Sequence, residues 1–421
     1  MKQLGCSLAL ALASLCGTSA LVCAEDPGSW VKVAEWKADF PPEDPVWAKL
    51  YPPCLAISPQ GDLVALSAPG GRDVEVHEIR TGKRTVILKG HVAAKGAVAG
   101  DYAGAIGRLC FSADGQWVFG MQAFSPRDPS SNWFDKLGCI NLWKVDGSEH
   151  RMVPIGSDAK DPQYGLLQDL AASPKGTAFA VLSVDSVLVG DLKDPSHSHN
   201  LMLGALVGSP SGDMGYFPVR AVFSPDGSKL VVGFNRPARD PDSHQFTPRP
   251  ARLAVWDLNR EAAIPKLTSS PFVGTRLFSR IDELAFSPDG DQVLVTGDGA
   301  WIWNLAGSKT TALEIPTPYE ATFAAGFSGD GSRVVLAGLG TQPFRGAKTG
   351  KWPDPLPDPV QKAKQEARLV TFELSSRKAT TLAMRPGLRA ASWNSAKGFM
   401  AWTNRKGAVS IESPSGTPSK P

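Results

Sequence analysis

The chain alternates short apolar runs with a recurring polar turn. Residues 221–232 read AVFSPDGSKLVV, and residues 284–295 read LAFSPDGDQVLV. In both stretches, apolar residues flank Ser-Pro-Asp-Gly on either side, as is typical of buried or half-buried strands. Proline in the second turn position presets φ, and glycine in the fourth position adopts the left-handed conformation that tight turns need. The pattern therefore predicts a β-hairpin.

The same hairpin recurs along the chain. Seven Ser-x-x-Gly turns follow an apolar strand, and they end at Gly61, Gly115, Gly176, Gly227, Gly290, Gly331 and Gly398. An alternating third strand follows each hairpin, at residues 74–79, 139–145, 186–192, 253–258, 300–305, 369–374 and 408–413. A fourth strand follows a short turn, as at residues 81–91 and 258–267. Seven such units predict an all-β fold, a seven-bladed β-propeller of four-stranded antiparallel blades.

The two ends of the repeat array complement each other. The last unit has a hairpin and a third strand but no fourth strand, whereas a spare strand, WVKVAEW at residues 30–36, precedes the first unit. Pairing these segments would remove exposed sheet edges, which otherwise invite aggregation. We therefore expect the N-terminal strand to complete the last blade and to close the ring.

The repeat resembles that of WD40 proteins, with features of the related TolB-like propellers, whose repeats also carry Phe-Ser-Pro-Asp-Gly. The Trp-Asp pair of the WD40 family occurs once, and its tryptophan alone occurs twice more: Trp256-Asp257, Trp143 and Trp303. The family's Gly-His pair occurs only at Gly90-His91. The resemblance, which covers roughly residues 29–416, implies a propeller whose blade edges are held by packing, because most of the family's Asp-His-Ser-Trp network is absent.

The first residues have the features of a secretory signal peptide. Lys2 precedes an apolar run at residues 8–15, and Val22-Cys23-Ala24 offers a small-x-small cleavage pattern. We therefore expect a signal peptide at 1–24, a propeller at 25–416, a disordered tail at 417–421, and a secreted or periplasmic protein. An uncleaved anchor and a lipid-anchored form are the alternatives. No later segment is long and apolar enough for a membrane span.

Charge and cysteine content narrow the possible functions. The 44 Lys and Arg residues nearly balance the 41 Asp and Glu residues, which disfavours nucleic acid as a partner. Cleavage would leave Cys54, Cys110 and Cys139. Their odd number and spacing match no metal motif. We expect three buried thiols, with one disulfide as the alternative.

Uneven spacing of the repeats reveals insertions. Three lie between second and third strands, at 122–137, 235–250 and 340–367, and two lie between blades, at 91–107 and 205–218. Because strand direction alternates within a blade, all five should emerge on one face of the disc, the top face. Exposed aromatics and arginines are typical of binding hot spots. The candidate partner-binding residues are Trp133, Phe134, Arg236, Arg239, Phe246, Arg249, Phe344, Arg345 and Trp352. The alternative is that these rings pack back on their own blades.

The predicted inner strands carry few candidates for chemistry. They offer a mixed ring of charges and not a metal site: Arg108, Asp169, Arg220, Glu283 and Arg389. No nucleophile elbow or phosphate-binding loop occurs. We expect no catalytic residue, metal or cofactor, and interpret the chain as a monomeric, non-catalytic scaffold that binds a protein or peptide. The alternative is a propeller enzyme of the lactonase or metal-assisted hydrolase type, or a carbohydrate-binding module, that uses the tunnel mouth.

Overall fold

Consecutive strands form seven antiparallel sheets in the computed structural model. The structure describes residues 30–38, 52–90, 102–126, 138–155, 167–183, 186–194, 199–201, 216–235, 251–259, 280–297, 299–306, 310–314, 319–340, 366–384, 388–404 and 407–414. Every regular element in these ranges is a β-strand. Among the same residues, no helix has the length and apolar character needed to cross a bilayer.

The first four blades contain strands β2 to β16. Blade one comprises β2 (Cys54–Ile57), β3 (Leu63–Ser67), β4 (Val74–Glu78) and β5 (Arg84–Leu88). Blade two comprises β6 (Tyr102–Phe111), β7 (Trp117–Pro126), β8 (Gly138–Lys144) and β9 (His150–Ile155). Blade three comprises β10 (Leu167–Ala172), β11 (Ala178–Ser183), β12 (Val187–Asp191) and β13 (His199–Leu201). Blade four comprises β14 (Phe217–Phe223), β15 (Lys229–Asn235) and β16 (Arg252–Asp257).

The remaining strands form blades five to seven. Blade five comprises β17 (Ile281–Phe286), β18 (Gln292–Gly297), β19 (Ala300–Asn304) and β20 (Thr310–Leu313). Blade six comprises β21 (Tyr319–Phe327), β22 (Arg333–Gly340), β23 (Glu366–Glu373) and β24 (Lys378–Met384). Blade seven comprises β25 (Leu388–Asn394), β26 (Phe399–Asn404), β27 (Ala408–Pro414) and the N-terminal β1 (Trp30–Lys37).

The predicted closure of the ring is confirmed. Strand β1 pairs antiparallel with β27, from Trp30 opposite Pro414 to Lys37 opposite Ala408. The first strands of the blades contact one another in cyclic order, and β25 of blade seven contacts β2 of blade one. The seven predicted third strands are also observed. The fourth strand predicted for blade four, at residues 258–267, lies almost wholly outside the described residues.

Seven hydrophobic cores lie between the blades, one at each junction. Between blades three and four, for example, Leu182 packs with Val232 and Trp256. The core that joins blade seven to blade one contains Leu66, Val409 and the half-buried Trp36 of β1. Since a propeller blade is covered on both faces, its second strand reads as a continuous apolar run and not as an alternation.

The Ser-x-x-Gly turns have the predicted geometry. All seven glycines have positive φ, between 66° at Gly398 and 81° at Gly176. In most turns the serine hydroxyl also accepts the N–H of the residue five positions later, as Ser224 does from Lys229 at 2.9 Å. Asp226 in turn accepts the N–H of Ser228 at 3.0 Å. The serine and the aspartate therefore tie the turn together, a role that the turn pattern alone did not predict.

The strands of blade two are longer than the sequence predicted. The predicted loops at 91–107 and 122–137 overlap β6 and β7, which stay paired up to Tyr102 opposite Pro126. The hairpin continues because a bulge between Ile106 and Arg108 absorbs one residue and the ladder then resumes. Proline is tolerated at the end of the ladder, since no N–H is needed there.

Packing is not the only force between the strands of blades one and two, contrary to the expectation from the missing WD40 network. In blade one, Arg84 Nη1 of β5 donates to Glu75 Oε1 of β4 at 3.0 Å, and Glu75 Oε2 lies 2.8 Å from His77 Nε2 on the same strand. The Trp36 ring of blade seven stacks on His77 at 5.8 Å between centroids. In blade two, Trp143 Nε1 donates to Lys89 O of blade one at 2.8 Å. Polar contacts that differ in composition from the WD40 network therefore also help to hold these blade edges.

Candidate functional site

Four charged residues occupy equivalent positions in the first strands of blades two to five. Arg108, Asp169, Arg220 and Glu283 each lie four residues before the serine of their turn. In each strand, this position directly follows a register shift in the pairing with the second strand. Such bulges re-aim a side chain. Because the first strands surround the axis, the four side chains converge in the central channel.

Arg108 connects three blades. Its Nε lies 3.0 Å from Asp169 Oδ1 of blade three, as an ion pair without good hydrogen-bond alignment. Its Nη1 and Nη2 donate to Glu283 Oε1 and Oε2 of blade five, each at 3.1 Å. Bidentate Arg–carboxylate pairs are among the stronger and more specific ion-pair geometries. Blades two and five are not neighbours, so this pair spans the channel.

Arg220 and Asp169 complete the network. Arg220 Nε donates to Glu283 Oε1 at 3.3 Å, and Arg220 Nη1 donates to the carbonyl oxygen of Val219 at 2.7 Å. Asp169 Oδ2 accepts the N–H of Ala221 at 2.9 Å, on the inner strand of blade four. The two guanidinium groups thus meet at one oxygen of Glu283. We call these four charged residues the channel network.

The two acids of the channel network are more deeply buried than its two arginines. The side chains of Asp169 and Glu283 are 1% and 9% exposed, whereas those of Arg108 and Arg220 are 32% and 25% exposed. The carboxylates therefore lie beneath the guanidinium groups, and the part of the network that faces the open channel is cationic.

The two buried acids have opposite pKa shifts. Burial raises the pKa of Asp169 above its ordinary value, and the nearby Arg108 and Arg220 offset only part of this effect. Burial would also raise the pKa of Glu283, but Arg108 and Arg220 outweigh it, so that this pKa is lowered. The difference follows from geometry, because Glu283 holds both arginines and Asp169 contacts only one.

The raised pKa of Asp169 predicts a pH-dependent stability difference for Asp169→Asn. An acid whose pKa is raised by folding stabilises the fold below its unfolded pKa, and this contribution is lost as the pH rises through the folded pKa. The asparagine stays neutral and can still accept the Ala221 N–H. We therefore expect the variant to gain stability relative to the wild type as the pH rises from about 4. Urea unfolding at several pH values measures this difference, and a difference that is constant or falls with pH would contradict it.

A cavity of about 700 Å³ occupies the channel. The first strands of all seven blades line it, and the lining reaches the turn prolines Pro174, Pro225 and Pro288. Among the described residues that line it, only Arg108, Arg220, Arg389 and Glu283 are charged. Ligand pockets have volumes of roughly 300–1,000 Å³. The cavity is therefore large enough for a small molecule or a peptide side chain.

The three cysteines of the propeller are free thiols. Cys139 is buried as predicted, whereas Cys54 and Cys110 are only partly buried and line the channel. Burial raises the pKa of Cys54 to about 11 and that of Cys110 to about 12. Both side chains are therefore protonated at neutral pH and are poor nucleophiles.

The residues predicted to bind a partner lie outside the described residues. These are Trp133, Phe134, Arg236, Arg239, Phe246, Arg249, Phe344, Arg345 and Trp352. The strands that flank them are described: β7 and β8, β15 and β16, and β22 and β23. Since the strands alternate in direction, these connections leave their blades at the end where the first strands begin, which is the top face.

Sequence reasoning identified the members of the channel network but not their association. The signal was present, since Arg, Asp, Arg and Glu recur at the same offset from the turn serine in four consecutive units. Which of them pair depends on the channel width and on the bulges. Arg389 was predicted in the same ring, and it lines the cavity at the bulge of blade seven.

These features define a closed β-propeller with a charged central channel. No protein-family model matches the chain, and no curated protein does. Among solved structures, the chain is similar to a chain in the crystal structure of the Mitotic Checkpoint Complex. The TM-score is 0.54 at 12% identity, over 94% of this chain and 97% of that one.

A second similar structure is the β-propeller domain of Myceliophteria thermophila Cps50 (Swd1). It has a TM-score of 0.52 at 15% identity, over 85% of this chain and 95% of that one. At such low identity, the two similarities establish the fold alone, a WD40-like seven-bladed propeller.

Proposed function

We propose that this propeller is a non-catalytic interaction scaffold, secreted or periplasmic and monomeric, that docks a protein or peptide on its top face. The observation that carries the proposal is topological. The top face bears the ends of the strands that flank residues 127–137, 236–251 and 341–365. Long connections held by a rigid scaffold are common sites of function.

The connections between strands are much shorter on the opposite face. In the described blades, the first and second strands are joined there by the short Ser-x-x-Gly turns, such as residues 58–62 and 287–291. The third and fourth strands of blade one are joined there by residues 79–83. The similarity to a chain of the Mitotic Checkpoint Complex also favours a role in an assembly.

Two finer points of the proposal come from the sequence. The apolar run at 8–15 and the cleavage pattern before Glu25 support export. The repeated Phe-Ser-Pro-Asp-Gly supports a relationship to TolB-like propellers in addition to the WD40-like fold.

The test replaces the longest connection. Gly340 and Glu366 lie opposite each other in the ladder between β22 and β23, so a four-residue Gly-Ser turn in place of residues 341–365 can join these strands without strain. We expect the variant to keep its melting temperature and to lose most of the partner captured by the wild type from envelope or culture fractions. This change removes Phe344, Arg345 and Trp352 together.

A matched control inserts the same Gly-Ser turn on the opposite face of the same blade, between Arg377 and Lys378. It should leave capture unchanged. Unchanged capture by the replacement variant would show that blade six does not contribute to docking. A lower melting temperature of that variant would instead assign residues 341–365 a role in folding.

A further inference from the structure

The channel network leaves hydrogen-bond donors directed at open space. An arginine side chain has five N–H donors. Arg220 uses two of them, on Glu283 Oε1 and Val219 O, and the described part of the chain provides no acceptor for its Nη2. Arg108 uses two, on Glu283 Oε1 and Oε2, and its Nε is ion-paired with Asp169 Oδ1. Both guanidinium groups line the cavity of about 700 Å³.

The cavity beside these donors has space and little competing charge. The residues that line it below the network are small or apolar, such as Ala171, Val222, Ala285 and Ser392. Of the network's own acids, Glu283 accepts from both arginines, whereas Asp169 accepts from Ala221 and is not part of the cavity lining. An anion that enters the channel therefore meets guanidinium groups before it meets a carboxylate.

We propose that the central channel is a binding site for a carboxylate group, held by Arg108 and Arg220. The two guanidinium groups flank Glu283 Oε1, at 3.1 and 3.3 Å. Their remaining N–H groups can therefore reach one further anion on the side of the cavity. This site goes beyond the scaffold proposed above, because it stands whether or not the top face docks a protein.

The charge balance of the channel favours a carboxylate over a phosphate or a sulfate. Arg108 and Arg220 line the cavity, and Glu283 and the underlying Asp169 offset much of their charge. A single negative charge suits such a nearly balanced site better than two. A carboxylate also matches the planar fork of a guanidinium group in bidentate geometry.

The test measures binding by calorimetry at constant ionic strength. The probes are acetate and succinate, acetamide and succinamide as neutral counterparts, sulfate, and a short peptide with either a free or an amidated C-terminus. The variants are Arg220→Gln, Arg220→Lys, which keeps the charge but loses the fork, and the control Arg151→Gln. Arg151 is 40% exposed and lies on β9, outside the channel lining.

We expect the carboxylates to bind with a stoichiometry of one, and the amides not to bind. Arg220→Gln should weaken binding by about tenfold or more, because a hydrogen bond to a charged group is lost. Arg220→Lys should weaken it less, and Arg151→Gln should not change it. Binding of acetate or succinate identifies a small molecule as the source, whereas binding of the free-ended peptide alone identifies a partner's carboxylate.

Four results would overturn the proposal. They are no carboxylate binding to the wild type, equal binding of carboxylates and amides, sulfate binding as tight as that of succinate, and unchanged carboxylate affinity in Arg220→Gln. If Arg220→Gln does not fold, the affinities of the acids and the amides are compared on the wild type and on Arg220→Lys. This comparison still tests whether the channel binds a carboxylate. No binding of any carboxylate to the wild type would leave the channel network a purely structural element.

Discussion

Removal of residues 30–37 is expected to destabilise the entire propeller and not only its last blade. The deletion takes away the partner of β27 and the contribution of Trp36 to the core between blades seven and one. It also exposes a new sheet edge, which promotes association. We expect the free energy of unfolding to fall by at least about 3 kcal/mol, the cost of losing a large aromatic side chain from a core. Urea unfolding and light scattering measure the two effects.

Two point variants in β1 distinguish the contribution of ring closure to stability from a general sensitivity of this strand to substitution. Trp36 stacks on His77 of blade one and packs at the closing junction. Trp36→Ala should cost about 2–3 kcal/mol, since the ring is only half-buried. Lys32 and Glu35 form an ion pair with side chains 54% and 51% exposed. Lys32→Ala should change stability by less than about 1 kcal/mol. An unchanged melting temperature after deletion of the strand would contradict closure by the N-terminus.

The second large effect is expected at Glu283. Glu283→Gln removes the carboxylate to which Arg108 and Arg220 both donate, and it leaves the two guanidinium groups close together. Removal of one partner of a buried ion pair costs several kcal/mol. We expect a loss of about 3 kcal/mol at pH 7, since the amide oxygen still accepts one hydrogen bond. Glu35→Gln, the same change in an exposed ion pair, should cost less than about 1 kcal/mol.

The pH dependence of this loss follows from the lowered pKa of Glu283. A carboxyl group with a lowered folded pKa stabilises the protein above its unfolded pKa, and the contribution disappears as the pH falls through the folded value. The difference between wild type and Glu283→Gln should therefore shrink in acid, opposite to the trend expected for Asp169→Asn. A Glu283→Gln effect as small as that of Glu35→Gln would show that the channel network contributes little to stability.

The repeat explains why so much of the architecture could be predicted. Each Ser-x-x-Gly turn is a local signal, because proline and glycine specify backbone angles within four residues. Seven such signals in order determine the number of blades, and the spare strand at 30–36 predicts how the ring closes. The predicted strand lengths were wrong where pairing between distant residues sets the end of a strand. In blade two, a bulge at Gly107 lets β6 and β7 continue to pair.

The channel network shows the same limit of sequence-based prediction at the candidate functional site. The residue types and their common offset are visible in the sequence, but the pairing of Arg108 with Glu283, 175 positions away, depends on ring diameter. The burial difference between arginines and acids depends on side-chain packing in the closed ring. Sequence alone predicted a mixed ring of charges, and the folded channel turns that ring into buried acids beneath accessible arginines.

The claim that docking occurs on one face can be tested most directly by site-specific photocrosslinking. A photoreactive residue is placed singly at Arg72 or Arg252 on the top face, and at Lys83 or Lys175 on the opposite face, all of which are exposed. After irradiation in envelope or culture fractions, partner adducts are identified by mass spectrometry. The account predicts adducts from Arg72 and Arg252 and none from Lys83 and Lys175. Adducts mainly from Lys83 and Lys175, or equally from all four, would contradict it.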